Sequence, residues 1–115
     1  MDYRIGTLVE QILENLKLPT SIVEMAEAAN VSVDHFHKLF KKETKFTPNQ
    51  FIRHHRLEKA KELLESSNLR VKEITSRVGI QDISHFVRDF KSKYGLKPNE
   101  YRQKHWEKSH APNKE

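Results

Sequence analysis

The chain carries one helical pattern twice. His35-Phe36-His37-Lys38-Leu39-Phe40-Lys41 returns fifty positions later as His85-Phe86-Val87-Arg88-Asp89-Phe90-Lys91, with His, Phe, a base, Phe and Lys in one register. Downstream, Pro48-Asn49-Gln50-Phe51 is answered by Pro98-Asn99-Glu100-Tyr101 at the same offset. Upstream, Met25-Ala26 and Ala29-Asn30-Val31 are answered by Ile74-Thr75 and Val78-Gly79-Ile80 at an offset of forty-nine, so the second copy has one extra residue in its turn. A pattern repeated at this spacing points to two copies of one structural unit, each burying its own apolar face.

Between the copies lies PNQFIRHHRLEKAKELLES, Pro48 to Ser66, which reads as one long helix with an apolar seam of Phe51, Ile52, Ala60, Leu63 and Leu64. Thr47 suits the N-cap, and Pro48 suits the first helical position, where a missing N–H costs nothing. The expected fold is all-α: a first helix-turn-helix lobe over residues 1–47, a linker helix over 48–66, a second lobe over 67–108 and a frayed polar tail over 109–115.

Within the first lobe, Ile5, Leu8, Val9, Ile12, Leu13 and Leu16 follow the spacing of an amphipathic helix whose stripe belongs to the core, leaving Glu10 and Glu14 on an acidic outer face. Pro19 breaks the chain, and Ser21 can cap a short helix ending near Ala29. Met25, Ala26 and Ala29 are compact apolar groups that let another helix cross closely, Asn30 tolerates a left-handed turn, and Ser32 is a strong N-cap for the next helix. In that helix Phe36, Leu39 and Phe40 face inward, which leaves Asp34, His37, Lys38 and Lys41 outside. In the second lobe Val71, Ile74 and Val78 mark the short helix, Gly79 the turn and Asp82 the N-cap. Phe86 and Phe90 point inward, and Ile83, Ser84, Val87, Arg88 and Lys91 form the exposed face. Gly95 suits a helix C-cap, and Pro98 opens a last helix whose Trp106 is expected to cover the second core.

An exposed helix fits the major groove of B-DNA, where its first two turns reach base edges. His37 and Lys38 are candidate readers in the first copy. Arg88 is the sharpest in the second, because its planar fork can bond guanine O6 and N7 together. Ile83 and Val87 could meet thymine methyls. Charge supports this: residues 1–30 carry a net −3 and residues 31–115 a net +8, so the basic character belongs to the repeat. Phosphate contacts are expected from Lys41, Lys42, Lys91, Lys93 and Arg102, with helix N-terminal amides.

Other function classes find little support. With 115 residues there is no room for a separate catalytic domain, and with no cysteine there is no thiolate or zinc-finger chemistry. Seven histidines invite a metal reading, but the adjacent His54 and His55 point to different faces and His35/His37 are two apart on a helix. No cofactor, metal or catalytic pair is expected. No apolar run is long enough to span a membrane, and MDYRIGTLVEQ lacks a signal-peptide pattern, so a cytoplasmic chain is expected. The competing reading is a protein-interaction module that docks RNA polymerase or a sensory domain, with weak nonspecific DNA binding.

The run GIQDISHFVRDFKSKYGLKPNEYR, Gly79 to Arg102, resembles the second-motif signature of the DNA-binding domain of AraC-type bacterial transcription regulators. Arg56-Leu57, Ala60 and Leu63-Leu64 match that family along the linker helix, and the resemblance covers about residues 5–106. It implies seven helices in two helix-turn-helix lobes. It also implies that both recognition helices enter successive major-groove segments of double-stranded promoter DNA. By position, the groove-facing residues are Asp34, His37 and Lys38 in the first copy and Ile83, Ser84 and Arg88 in the second. Asp34 could accept from cytosine N4 or favour the helix N-terminus. Two departures stand out: Lys38 replaces the usual Arg, and Lys45 the usual Gly, so that either a non-glycine residue takes a strained cap or the helix ends differently. With unlike lobes, one monomer should read an asymmetric site, with RNA polymerase as a further partner.

Overall fold

The computed structural model describes residues 2–17 and 21–110 and, among these, seven α-helices and no strand. They are α1 (Tyr3–Glu14), α2 (Ile22–Ala28), α3 (Val33–Thr44), α4 (Pro48–Ser66), α5 (Val71–Val78), α6 (Ile83–Tyr94) and α7 (Pro98–His110). The expected break at Pro19 and residues 111–115 of the expected tail lie outside the described residues, whereas Ser109 and His110, expected in that tail, are the last residues of α7.

The chain forms two compact units, Met1–Arg56 and Leu57–Glu115, and the division falls inside α4. Its apolar residues therefore do not form one seam. Phe51 and Ile52 join Ile5, Leu8, Ile12, Met25, Ala26, Ala29, Phe36 and Phe40 in the first core. Leu57, Ala60 and Leu64 join Ile74, Val78, Phe86 and Phe90 in the second. Leu57, Ala60 and Leu64 repeat the spacing of Ile5, Leu8 and Ile12, so each unit opens on a helix with the same three-residue stripe. Each also closes on a helix beginning with Pro, at Pro48 and Pro98, both fully buried. The helix α4 closes one unit and opens the next.

Local chemistry sets the helix ends. Thr47 and Gln50 form a reciprocal capping box, Gln50 N–H donating to Thr47 Oγ1 at 3.3 Å and Thr47 N–H to Gln50 Oε1 at 3.1 Å. The two short turns superimpose in pattern: Val31 N–H donates to Ala26 O at 3.1 Å, and Ile80 N–H to Thr75 O at 2.9 Å. The left-handed residue is Asn30 in one turn and Gly79 in the other.

The C-caps of α3 and α6 differ in residue but not in conformation. Lys45 has φ +70° and Gly95 φ +85°, and the N–H of each donates to a carbonyl four residues back at 2.8 Å. A Cβ added at Gly95 would meet nothing within 4 Å, so only backbone strain, not space, favours glycine there. The same turn therefore accepts Lys45. Relief of that strain should make Lys45→Gly more stable by about 0.5–1 kcal/mol, net of the added chain entropy of the unfolded state. A rise in the urea midpoint with unchanged slope checks this.

Two packing expectations are corrected. Leu13 is 47% exposed, and the buried stripe is carried by Ile5, Leu8 and Ile12, with Val9 and Leu16 packed against the first core as expected. Trp106 is 53% exposed and does not cover the second core; Tyr94 and Tyr101 pack there instead.

Candidate nucleic-acid interface

The helices α3 and α6 are each held by an i, i+4 pair of buried phenylalanines. Phe36 and Phe40 are fully buried with ring centroids 5.6 Å apart, and Phe86 and Phe90 repeat this at 5.7 Å. Fixing one face in the core leaves the opposite face to solvent. The N-termini are capped alike: Ser32 Oγ accepts from His35 N–H at 3.1 Å, and Asp82 Oδ1 accepts from His85 N–H at 3.0 Å. That amide bond holds the Asp82 carboxyl below its usual pKa. The His35 and His85 side chains are exposed, so the repeated His is not packed beside the core Phe.

On α3, Asp34, Lys38, Lys41 and Lys42 are exposed; on α6, Ile83, Ser84, Arg88 and Lys91 are. The face is narrower than a helical wheel suggests. His37 is half-buried, and Val87 is half-buried against the second core. Positions 37 and 87 are thus matched flanks, and the open pairs are 34/38 and 84/88. Asp34 and Lys38 make a contact in which Lys38 Nζ lies 3.1 Å from Asp34 Oδ2, with both side chains more than three-quarters exposed. One exposed residue goes unnoticed in the sequence: Val33, 41% exposed, is the counterpart of Ile83 at 39%. The offset of fifty would have found it.

Two of the basic residues assigned to phosphate are engaged within the second unit. Lys93 Nζ lies 3.2 Å from Glu58 Oε1, which also accepts from Tyr94 Oη at 2.6 Å. The Tyr94 hydroxyl and then Lys93 hold Glu58 below the usual carboxylate range, while burial and Glu58 push Tyr94 upward. Tyr101 donates to Glu65, and burial followed by that bond pushes its hydroxyl up to about 12. Arg102 Nε donates to Leu64 O at 3.1 Å, in the last turn of α4, and its Nη2 is buried. The first unit has a related tie, Arg56 Nε donating to Leu16 O at 3.0 Å. Arg102 thus anchors the closing helix of the second unit to its opening helix, and Arg56 ties α4 to the segment just after α1. Lys41 and Lys42 on α3 and Lys91 on α6 are exposed, as is Arg88.

Among the described residues no group of three His, Asp or Glu could hold a metal ion; His54 stacks on Phe46 at 5.2 Å, and His55 packs tilted against Phe51 at 4.4 Å. No described helix is long and apolar enough to cross a membrane.

A helix-turn-helix domain family matches residues 25–104. The chain is 32% identical to the transcriptional regulator MtrA of Neisseria gonorrhoeae over 89% of its own length and 34% of that protein's. It is 29% identical to the multiple antibiotic resistance protein MarA of Escherichia coli K12, over 85% of this chain and 77% of MarA. The first curated relatives it matches are about three times as long as the segment they share with it. The DNA-binding domain of AdpA, solved with a target DNA, has the same fold, with a TM-score of 0.86 over 96% of this chain and 98% of that one at 24% identity. With a family match over most of its length and both helix-turn-helix units built as that family builds them, the chain belongs to the AraC-type helix-turn-helix family, whose members are DNA-binding transcription regulators and not enzymes.

Proposed function

We propose that this chain binds double-stranded DNA sequence-specifically as the DNA-binding part of a transcription regulator. The observation that carries the reading is the duplicated display: two helices, each pinned by a buried Phe pair, each opening the same two positions to solvent above a basic last turn. Each recognition helix enters a major groove, so one copy of the chain reads an asymmetric site as a monomer. Asp34, Lys38, Ser84 and Arg88 contact base edges, with Ile83 against a thymine methyl and His37 and Val87 at the flanks of the contact. Lys41, Lys42 and Lys91 meet phosphates. Lys93 reaches a phosphate only by leaving Glu58, and Arg102 acts through the packing of α7. The acidic outer face of α1, with exposed Glu10 and Glu14, suits RNA polymerase as a second partner, and the cytoplasm is the matching compartment.

Salt dependence tests the phosphate assignment. Lys42→Ala should weaken all duplexes alike and lower the slope of log K against log salt by about 1, the value for one released counterion. An unchanged slope would remove Lys42 from the interface.

A further inference from the structure

Within the open pairs 34/38 and 84/88, the two helices differ in charge at one position. Position 34 is Asp and position 84 is Ser, while positions 38 and 88 are both basic. As a result α3 displays an ammonium and a carboxylate 3.1 Å apart, four residues apart on the helix, with 76% of Lys38 and 82% of Asp34 open to solvent. On α6 the guanidinium of Arg88 has a hydroxyl four residues back instead.

We propose that Asp34 and Lys38 read as one unit, and that the base pair they select is C·G in one orientation. This rests on the reading of α3 as a groove-binding helix. In a C·G pair the cytosine N4 donor and the guanine O6 acceptor are hydrogen-bonded to each other, so they stand about 2.9 Å apart at the major-groove edge. The Asp34–Lys38 separation matches that spacing with complementary polarity. Asp34 accepts the second N4 hydrogen, Lys38 donates to the free lone pair of O6, and the ion pair itself stays intact. A carboxylate has about four acceptor sites and an ammonium three donors, so neither is exhausted by the other.

An A·T pair also sets a donor, adenine N6, beside an acceptor, thymine O4, but its flanks are wrong. Adenine N7 is an acceptor on the carboxylate side and repels it, and the thymine methyl blocks the ammonium side. In C·G the flanks are the C5 hydrogen of cytosine beside Asp34 and guanine N7 beside Lys38, a further acceptor for the ammonium. Reversing the pair to G·C sets acceptor on carboxylate. The intact ion pair therefore reads one base pair out of four, which a lone Lys38 cannot do.

The test is binding of the full chain to a selected duplex and to its variants with each base pair substituted in turn, for wild type, Asp34→Ala, Lys38→Ala and the double variant. Both residues are exposed, so folding is retained. Wild type should show a position where C·G is preferred over the other three pairs by about fivefold or more, the lower end for a bidentate base contact. Either single substitution should bring that position to within about twofold, and the double variant should lose no more than either single one, the mark of a coupled unit. Preference unchanged in Asp34→Ala, additive losses, or a Lys38-dependent position preferring another pair would overturn the proposal while leaving DNA reading intact. Absence of any sequence preference in wild type would overturn both.

Discussion

Phe90→Ala is expected to destabilise the second unit by about 3–5 kcal/mol, the range for removing a buried aromatic ring. The ring is fully buried, with centroids 5.7 Å from Phe86, 4.6 Å from Tyr94 and 5.5 Å from Tyr101. It thereby joins α6 to α7. Three aromatic neighbours on two helices cannot all close over the lost volume, so a cavity term adds to the lost transfer energy. Domains of this size are stable by only about 5–15 kcal/mol, so much of that margin would go. Urea unfolding followed by circular dichroism measures the loss, and a change below about 1 kcal/mol would mean that Phe90 is not the keystone of this core. Phe40, fully buried against Phe36 and Phe51 at 5.6 and 5.4 Å, should behave alike in the first unit.

Arg88→Ala should weaken binding to the preferred site by about 1–3 kcal/mol, or roughly 5- to 150-fold, and relax the preference at one base pair. Arg88 is exposed on the open face of α6, and its fork matches guanine O6 and N7. Arg88→Lys keeps the charge and loses the fork, so it should restore nonspecific affinity but not the base preference. Competition binding between the preferred duplex and its single-base variants checks both. A loss from Arg88→Ala that is uniform across all sequences would make Arg88 a phosphate contact.

The fold was legible because its signals are local. Ser32, Thr47 and Asp82 each stand before a helix with a side-chain oxygen to accept an orphan amide, and each does so. Asn30, Gly79 and Gly95 stand where a left-handed residue is needed, and each adopts it. The exposure of the candidate surface was legible only in part, and the differences in burial share a cause. Leu13 follows buried Ile12, His37 follows Phe36 and Val87 follows Phe86, each roughly 100° around the helix from a core residue. That flank is buried or open according to which neighbouring helix covers it, and periodicity along one helix carries no information on this. Hydrogen bonds that reach across the chain were hidden for the same reason. Nothing near Glu58, Glu65 or Leu64 in the sequence marks Tyr94, Tyr101 or Arg102 as partners, 36 to 38 positions away. The Asp34–Lys38 contact, by contrast, has helical i, i+4 spacing and could have been read directly.

The central claim is that both units of one chain read DNA. Its most direct test is selection from a random-sequence duplex pool at near-physiological salt, followed by sequencing of what is bound. Two short unlike motifs on each duplex, one relaxed at a single base pair in Arg88→Ala and the other altered in Lys38→Ala, are the predicted result. A single motif insensitive to Lys38→Ala, or salt-sensitive binding with no enriched motif, would contradict it.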